Sequence, residues 1–377
     1  METAARSRDT EVLEVERPDL LDVGRLRLMG FPTPYRPVLV ERRPLEVRSY
    51  DDATAVSIAS AGSRRRDIGG AYDAAGDLIV ETERAKPLQQ WWPTPRRIPA
   101  AVRPEVRYEG AALYGGRYAG HFGHILLETM TRFWADLDYD AYERIVVIPK
   151  SFNLDRRRRS RLFDMLVGLL GIPADRVVVV GQEGVAFERL DVPSTPFVLS
   201  VAADPRFLDV FDRIADRVVR DDYGGDLSGL PSRVYLSRSQ LDNGRPKGQS
   251  SATNEAEAEA FFEERGFTVV HPQKIPFAEQ VALARNAELV AGCNGSALHL
   301  AMFCRPDTGL LALDIRHVSN QYLIDRARGL DAMHVWARSD DSDDWQTPWN
   351  LDMVRVRSAY ETLIADRQSP GQRSLDR

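Results

Sequence analysis

The chain has 377 residues, too many for one ordinary hydrophobic core, so two domains are expected. Its 43% hydrophobic and 28% charged residues form a normal globular mixture, and a net charge of -6 argues against a general nucleic-acid binder. The two cysteines, Cys293 and Cys304, rule out a disulfide framework, and no window carries the roughly 18 apolar residues that span a bilayer.

Residues 1–20 are polar, lack an apolar signal core and read as a disordered tail, so a cytoplasmic protein is expected. From 21 to 109, short strand-like pieces are punctuated by proline, with a hairpin over 71–83 turning at Ala75-Gly76. The Pro- and Trp-rich segment 84–105 reads as an extended arm whose Trp91 and Trp92 either pack it down or stack on a sugar. The pattern then becomes α/β. Segment 120–137 carries a helical apolar stripe of Ile125, Leu126, Met130, Phe133 and Trp134. A buried strand at 144–149, a helix ended by Gly171, a parallel-type strand at 176–180 and a long helix from 205 follow. The basic run 156–161 is a solvated face or a contact with an anionic membrane surface.

The Gly/Asp/Ser-rich stretch 221–232 marks the expected boundary. It separates a domain over 21–225 (β-rich 21–109, α/β 110–225) from an α/β domain over 226–345. A final helix and then a tail lie within 346–377.

Between Val234 and Phe303 the order reads strand, helix, strand, helix, strand, Gly-containing turn, helix. Arg238 stands at the carboxyl end of the first strand, where open α/β sheets bind ligands, and Arg245 and Lys247 sit in the loop that follows. The turn Cys293-Asn294-Gly295 leads into Ser296 and a helix start, where free N–H groups and the helix dipole suit phosphate oxygens. Gly295 would admit a ligand to the backbone, and Ser296 is a candidate cap. Each of these residues also has an ordinary structural reading as a capped helix or a solvated charge.

Upstream, His121, His124 and Glu128 fall at i, i+3 and i+7 on one helix face. Core packing, a metal site and a general base are the three readings of this set. Two histidines three apart with one glutamate is not a recognised zinc spacing. A carboxylate beside an imidazole suits a base, with Glu128 acting through His124 or directly. Asp136-Leu137-Asp138 has the letters of a metal-binding DxD but trails the helix as a connection. No GxxxxGKS, GxSxG or GxGxxG motif is present, which turns away kinase, hydrolase and simple dehydrogenase readings.

The run Tyr235–Arg238, Asn254-Glu255, Gly266-Phe267, His271-Pro272, Glu279-Gln280 and Gly295-Ser296 resembles the family-61 glycosyltransferases. The HFGH–LLE–R–W string at 121–134 resembles a bacterial branch of that family engaged in capsule and exopolysaccharide synthesis. Where many relatives carry Pro-His-Gly, this chain has Cys293-Asn294-Gly295.

The resemblance implies a GT-B-like α/β fold, two Rossmann-type domains facing a cleft with an N-terminal β-rich elaboration, and a final helix that returns to the first domain. It also implies inverting, metal-independent transfer from a nucleotide sugar, taken as UDP-linked and needing no further cofactor, to a glycan or glycolipid acceptor. Peripheral contact with the inner membrane surface is expected, and nucleic acid is not. Arg238, Arg245, Lys247, Glu279, Asn294, Gly295 and Ser296 would hold the donor, and His124, Glu128 or His121 would take the acceptor proton. The alternatives are a nucleotide-sugar epimerase, which needs no acceptor, and a non-catalytic glycan-binding relative, which the Asn294 departure keeps open.

Overall fold

The computed structural model of the chain describes residues 11–12, 26–31, 38–58, 69–83, 94–118, 121–149, 161–241, 251–340 and 347–368. They divide into two compact units, Glu41–Arg217 and a second formed by Met1–Val40 with Val218–Arg377.

In the first unit a six-stranded sheet runs in the order Gly70–Tyr72, Val47–Val56, Val185–Pro193, Arg107–Tyr118, Arg144–Pro149, Val177–Val179. Val47–Val56 is antiparallel to both its neighbours, and from Val185–Pro193 outward the pairing is parallel. The core beneath it holds Ala55, Tyr114, Val146, Ile148, Phe187 and Leu190. The expected 71–83 hairpin has its turn, with Gly76 at φ 79 and the Asp73 N–H donating to the Asp77 carbonyl. Its return limb makes only isolated bridges before the 3-10 turn Val80–Thr82. Asp136 and Asp138 lie in the connection to Arg144–Pro149, where Asp138 accepts from the Asp140 N–H at 3.0 Å. Trp91, Trp92 and the basic run 156–160 fall outside the described residues.

The second unit is built on seven strands in the order Glu11–Val12, Leu26–Met29, Asp331–Trp336, Gly309–Asp314, Leu289–Cys293, Arg233–Leu236, Thr268–Val270. All neighbours are parallel except the first pair. Alternation along the strands splits the sheet into two apolar faces. Tyr235, Leu311, Leu313, Met333 and Val335 pack with Phe261 and Phe262 of helix Glu255–Glu263 and with Val356, Ala359 and Leu363 of helix Met353–Gln368. Tyr235 stacks on Phe262, ring centroids 4.6 Å apart. The opposite face carries helices Phe277–Asn286 and Ser319–Arg328 and the 3-10 segment Ser296–Phe303.

Two expectations about domains are corrected. The division falls inside helix Asp209–Tyr223, not at the polar loop beyond it. The final helix packs on the sheet of its own unit, because its apolar positions complete the layer over Leu311–Val335. Leu26–Met29 also joins this sheet, in register with Ala332–Val335, so the N-terminal β-rich region is shared between the units. Arg27 fastens the arrangement, donating to Asp331 at 2.7 Å and to Asp366 near the end of the final helix. No helix among the described residues is long and apolar enough to cross a membrane.

Candidate functional site

His121, His124 and Glu128 open a helical segment that is not a regular α-helix. A single turn, Phe122–His124, widens into the π-helical Ile125–Thr129 and then tightens into the 3-10 turn Met130–Phe133. The π-helical turn is a rare geometry that recurs at functional sites. Gly116, at φ 91 in the adjoining strand, permits it: a Cβ there would stand 2.8 Å from the Glu128 carbonyl oxygen and 2.9 Å from Arg132 Cγ. The Thr129 hydroxyl donates to the Arg117 carbonyl. Arg132, fully buried and with its pKa lowered by that burial, donates to the carbonyls of Pro193 at 2.8 Å and Glu81 at 2.6 Å.

His124 Nδ1 lies 2.5 Å from Glu128 Oε1, with side chains 35% and 6% exposed. That nitrogen makes no hydrogen bond of good angle, so the pairing is electrostatic rather than a directed bond. His121 does not share the helix face as its spacing suggested. It occupies the extended position before the first turn, where its carbonyl accepts from His124 and Ile125, and its ring meets that of His124 at 5.5 Å. An imidazole half open to solvent with a buried carboxylate behind it is a competent proton acceptor. Among the described residues, no group of three His, Cys, Asp or Glu could hold a metal ion.

The other expected site lies at the carboxyl ends of the second unit's strands. Arg238 follows Arg233–Leu236, and its backbone N–H donates to Glu255 Oε1 at 2.6 Å. Its Nη1 would lie 2.5 Å from a Cβ on Gly295, so the missing side chain there lets the guanidinium lie against the turn. Among the described residues this half-buried guanidinium has no ion pair, and its Nε is buried without a hydrogen bond. Beneath it, Glu255 is 1% exposed and its Oε2 has no partner among the described residues. Burial pushes the Glu255 carboxyl up to about 7; the Arg238 N–H and guanidinium pull against that, and Glu259 adds to it. Glu259 accepts from Ser237 at 2.5 Å and Ser239 at 2.6 Å, which fixes the strand end.

Asn294 is corrected. Expected to meet the donor, its side chain is wholly buried and donates from Nδ2 to Asp314. Ser296 is not the cap: that position falls on Gly295, and Ser296 stands half-buried one residue inside a 3-10 segment rather than an α-helix. Glu279 sits in the first turn of helix Phe277–Asn286, half-buried, and its charge helps raise the Tyr223 phenol after burial. It makes no hydrogen bond or ion pair with Arg238. Arg245 and Lys247 lie outside the described residues. Cys293 is buried and burial holds its thiol far above the ordinary value, so it is no nucleophile.

A family model of glycosyltransferase 61 matches residues 122–311, half of the chain. The chain belongs to the glycosyltransferase 61 family. The matched region begins one residue after His121, contains His124, Glu128, Arg238, Glu255 and the Gly295 turn, and ends inside strand Gly309–Asp314. No curated protein matches the chain. Membership in glycosyltransferase 61 indicates sugar transfer, with a sugar donor and an acceptor as its partners. Glu255 is the residue that sequence reasoning left without a role: its signal was the Asn254-Glu255 pair at a helix start, which alone reads as a capping pattern.

Proposed function

We propose that this glycosyltransferase 61 chain is an inverting, metal-independent enzyme of GT-B type. It would move a hexosyl or pentosyl group from a UDP-linked donor to a glycan or glycolipid acceptor during capsule or exopolysaccharide assembly at the cytoplasmic side of the inner membrane. The observation that carries this reading is Arg238, a guanidinium with no ion pair among the described residues, laid against Gly295 at the end of a parallel sheet. A departing nucleoside diphosphate gains negative charge as the bond to the anomeric carbon breaks, and a fixed cation there lowers the barrier. The N–H groups at the Gly295-Ser296 turn add to the same cradle. The acceptor hydroxyl gives its proton to His124, backed by Glu128, or to Glu128 itself, while its oxygen bonds to the anomeric carbon from the opposite side.

A panel of nucleotides and nucleotide sugars in thermal-shift assays identifies the donor, since a ligand that binds only the folded state raises Tm. Arg238→Ala should lower turnover on the order of a hundredfold, the scale of a lost charge-stabilising group. Transfer at the native rate in that variant would sink the reading, as would transfer that persists in both His124→Ala and Glu128→Ala.

A further inference from the structure

A buried chain of polar side chains ties both ends of the Gly295-Ser296 turn to one histidine outside the matched region. From the turn's near side, Asn294 Nδ2 donates to Asp314 Oδ1, and Asp314 Oδ2 meets His334 Nδ1 at 2.6 Å. His334 Nε2 meets Asp325 Oδ2 at 2.8 Å. Asp325 Oδ1 accepts from Gln321 Nε2 at 2.7 Å, and Gln321 Oε1 lies 2.9 Å from His299 Nδ1, on the helical segment that begins at Ser296. Gln321 Nε2 also donates to the Leu298 carbonyl at 3.3 Å. None of the six side-chain members is more than 5% exposed.

Both ring nitrogens of His334 face carboxylate oxygens, yet a neutral imidazole has one N–H. The cluster therefore holds one proton more than a neutral ring between two carboxylates. The two carboxylates accordingly push the His334 ring up to about 9, against its burial. A buried, charged network of this kind is costly to assemble and stabilises little compared with apolar packing. Its consequence is geometric, because the chain of bonds from Asn294 Nδ2 to His299 holds the groups it joins in one arrangement, although Asn294 Oδ1 has no hydrogen bond among the described residues.

We infer that His334 is a positioning residue for the donor diphosphate, holding the Gly295-Ser296 turn from both sides through Asp314–Asn294 and Asp325–Gln321–His299. The inference rests on the reading that this turn and Arg238 cradle the diphosphate. Because neither His334 nor Asp325 touches the ligand on this account, their loss shows as a slackened site and not as a missing charge.

Calorimetric titration of the full chain with UDP tests it. His334→Gln removes the extra proton, and Asp325→Leu, of similar size, removes the oxygens that Gln321 Nε2 and His334 Nε2 meet, breaking the arm to His299. Each should weaken UDP binding by about tenfold, the scale of a sub-ångström misplacement. Leu363→Ala, on the other face of the sheet, lowers Tm without touching the network and should bind UDP as the native chain does. An equal loss in Leu363→Ala would reduce the effect to general destabilisation and overturn the inference. If the native chain binds UDP, Arg238→Ala does not, and both network variants bind as tightly as native, the inference alone falls. If the native chain binds no nucleoside diphosphate, the transfer reading falls with it. Should His334→Gln not fold, Asp325→Leu decides the binding question. Nitrogen NMR of the native chain at neutral pH gives an independent answer: a His334 ring in one neutral tautomer, without a shared proton to either carboxylate, would overturn the role.

Discussion

At Gly295 a single hydrogen in place of a methyl group decides where a charge can sit. The backbone there is extended, φ 173, so any residue can adopt it, and a new Cβ would meet only the far end of a flexible arginine. Gly295→Ala should therefore fold with native Tm while pushing the Arg238 guanidinium off the turn. The expected result is weaker nucleotide binding, approaching that of Arg238→Ala, in a calorimetric titration that also shows unchanged cooperative melting. Native affinity in Gly295→Ala would mean that the guanidinium does not need this position. The contrast with Asn294 next door is instructive. In the sequence the two looked alike, small polar-turn residues beside a phosphate-type helix start. The fold sends one side chain into the core and leaves the other absent so that a cation can approach.

The elements that could be read from sequence were those whose signal is local. Strands such as Arg144–Pro149 and Leu289–Cys293 are β-branched or small apolar runs buried on both faces, and the helices between them end at Gly171 and Gly266 in left-handed conformations that favour glycine. Val185–Pro193 escaped notice because Glu188 and Arg189 interrupt it on the exposed side, although it is the strand where antiparallel pairing gives way to parallel. Leu26–Met29 is a four-residue strand whose parallel partner lies some three hundred residues away, beyond the reach of local pattern. Periodicity correctly brought His124 and Glu128 together but could not show the π-helical turn, because that turn depends on the approach of a second strand through Gly116. Gly116→Ala tests this dependence. With φ 91 and backbone oxygen at 2.8 Å from the new Cβ, the turn or the strand must shift, at a cost of about 2 kcal/mol or more. Tm should fall, and residual transfer should fall further than folding alone explains, because Glu128 moves relative to His124. A variant with lowered Tm and native transfer per folded molecule would detach the π-helical turn from catalysis.

Across the molecule, the second unit concentrates buried groups whose pKa values folding raises, and the direction of each sets how stability responds to pH. Glu255, pushed by burial from 4.5 to about 7, faces Arg238 and Glu259. His334, moved from 6.5 to about 9, faces Asp314 from one strand, and Asp325 and the Tyr322 ring from helix Ser319–Arg328. Burial raises Asp325 as well. In every case the folded unit binds protons more tightly than the unfolded chain, so its stability is greatest in acid and declines as pH rises. Glu255 contributes its decline between 4.5 and about 7, and His334 between 6.5 and about 9, each by about 3 kcal/mol at most. Hydrogen-exchange protection factors for Leu310–Leu313 should therefore fall on the alkaline side, while those for Val146–Ile148 in the first unit, whose buried Tyr72 and Tyr142 are pushed up to about 12 and so titrate above this range, should change less. Glu255→Gln keeps an acceptor for the Arg238 N–H and removes the carboxyl's titration. It should be more stable than the native chain above about 7 and lose the first part of the decline, with the part due to His334 unchanged. Native-like decline below 7 in that variant would show that Glu255 is not the group responsible, and equal losses of protection in both units would show that the pH response does not belong to the network of the second.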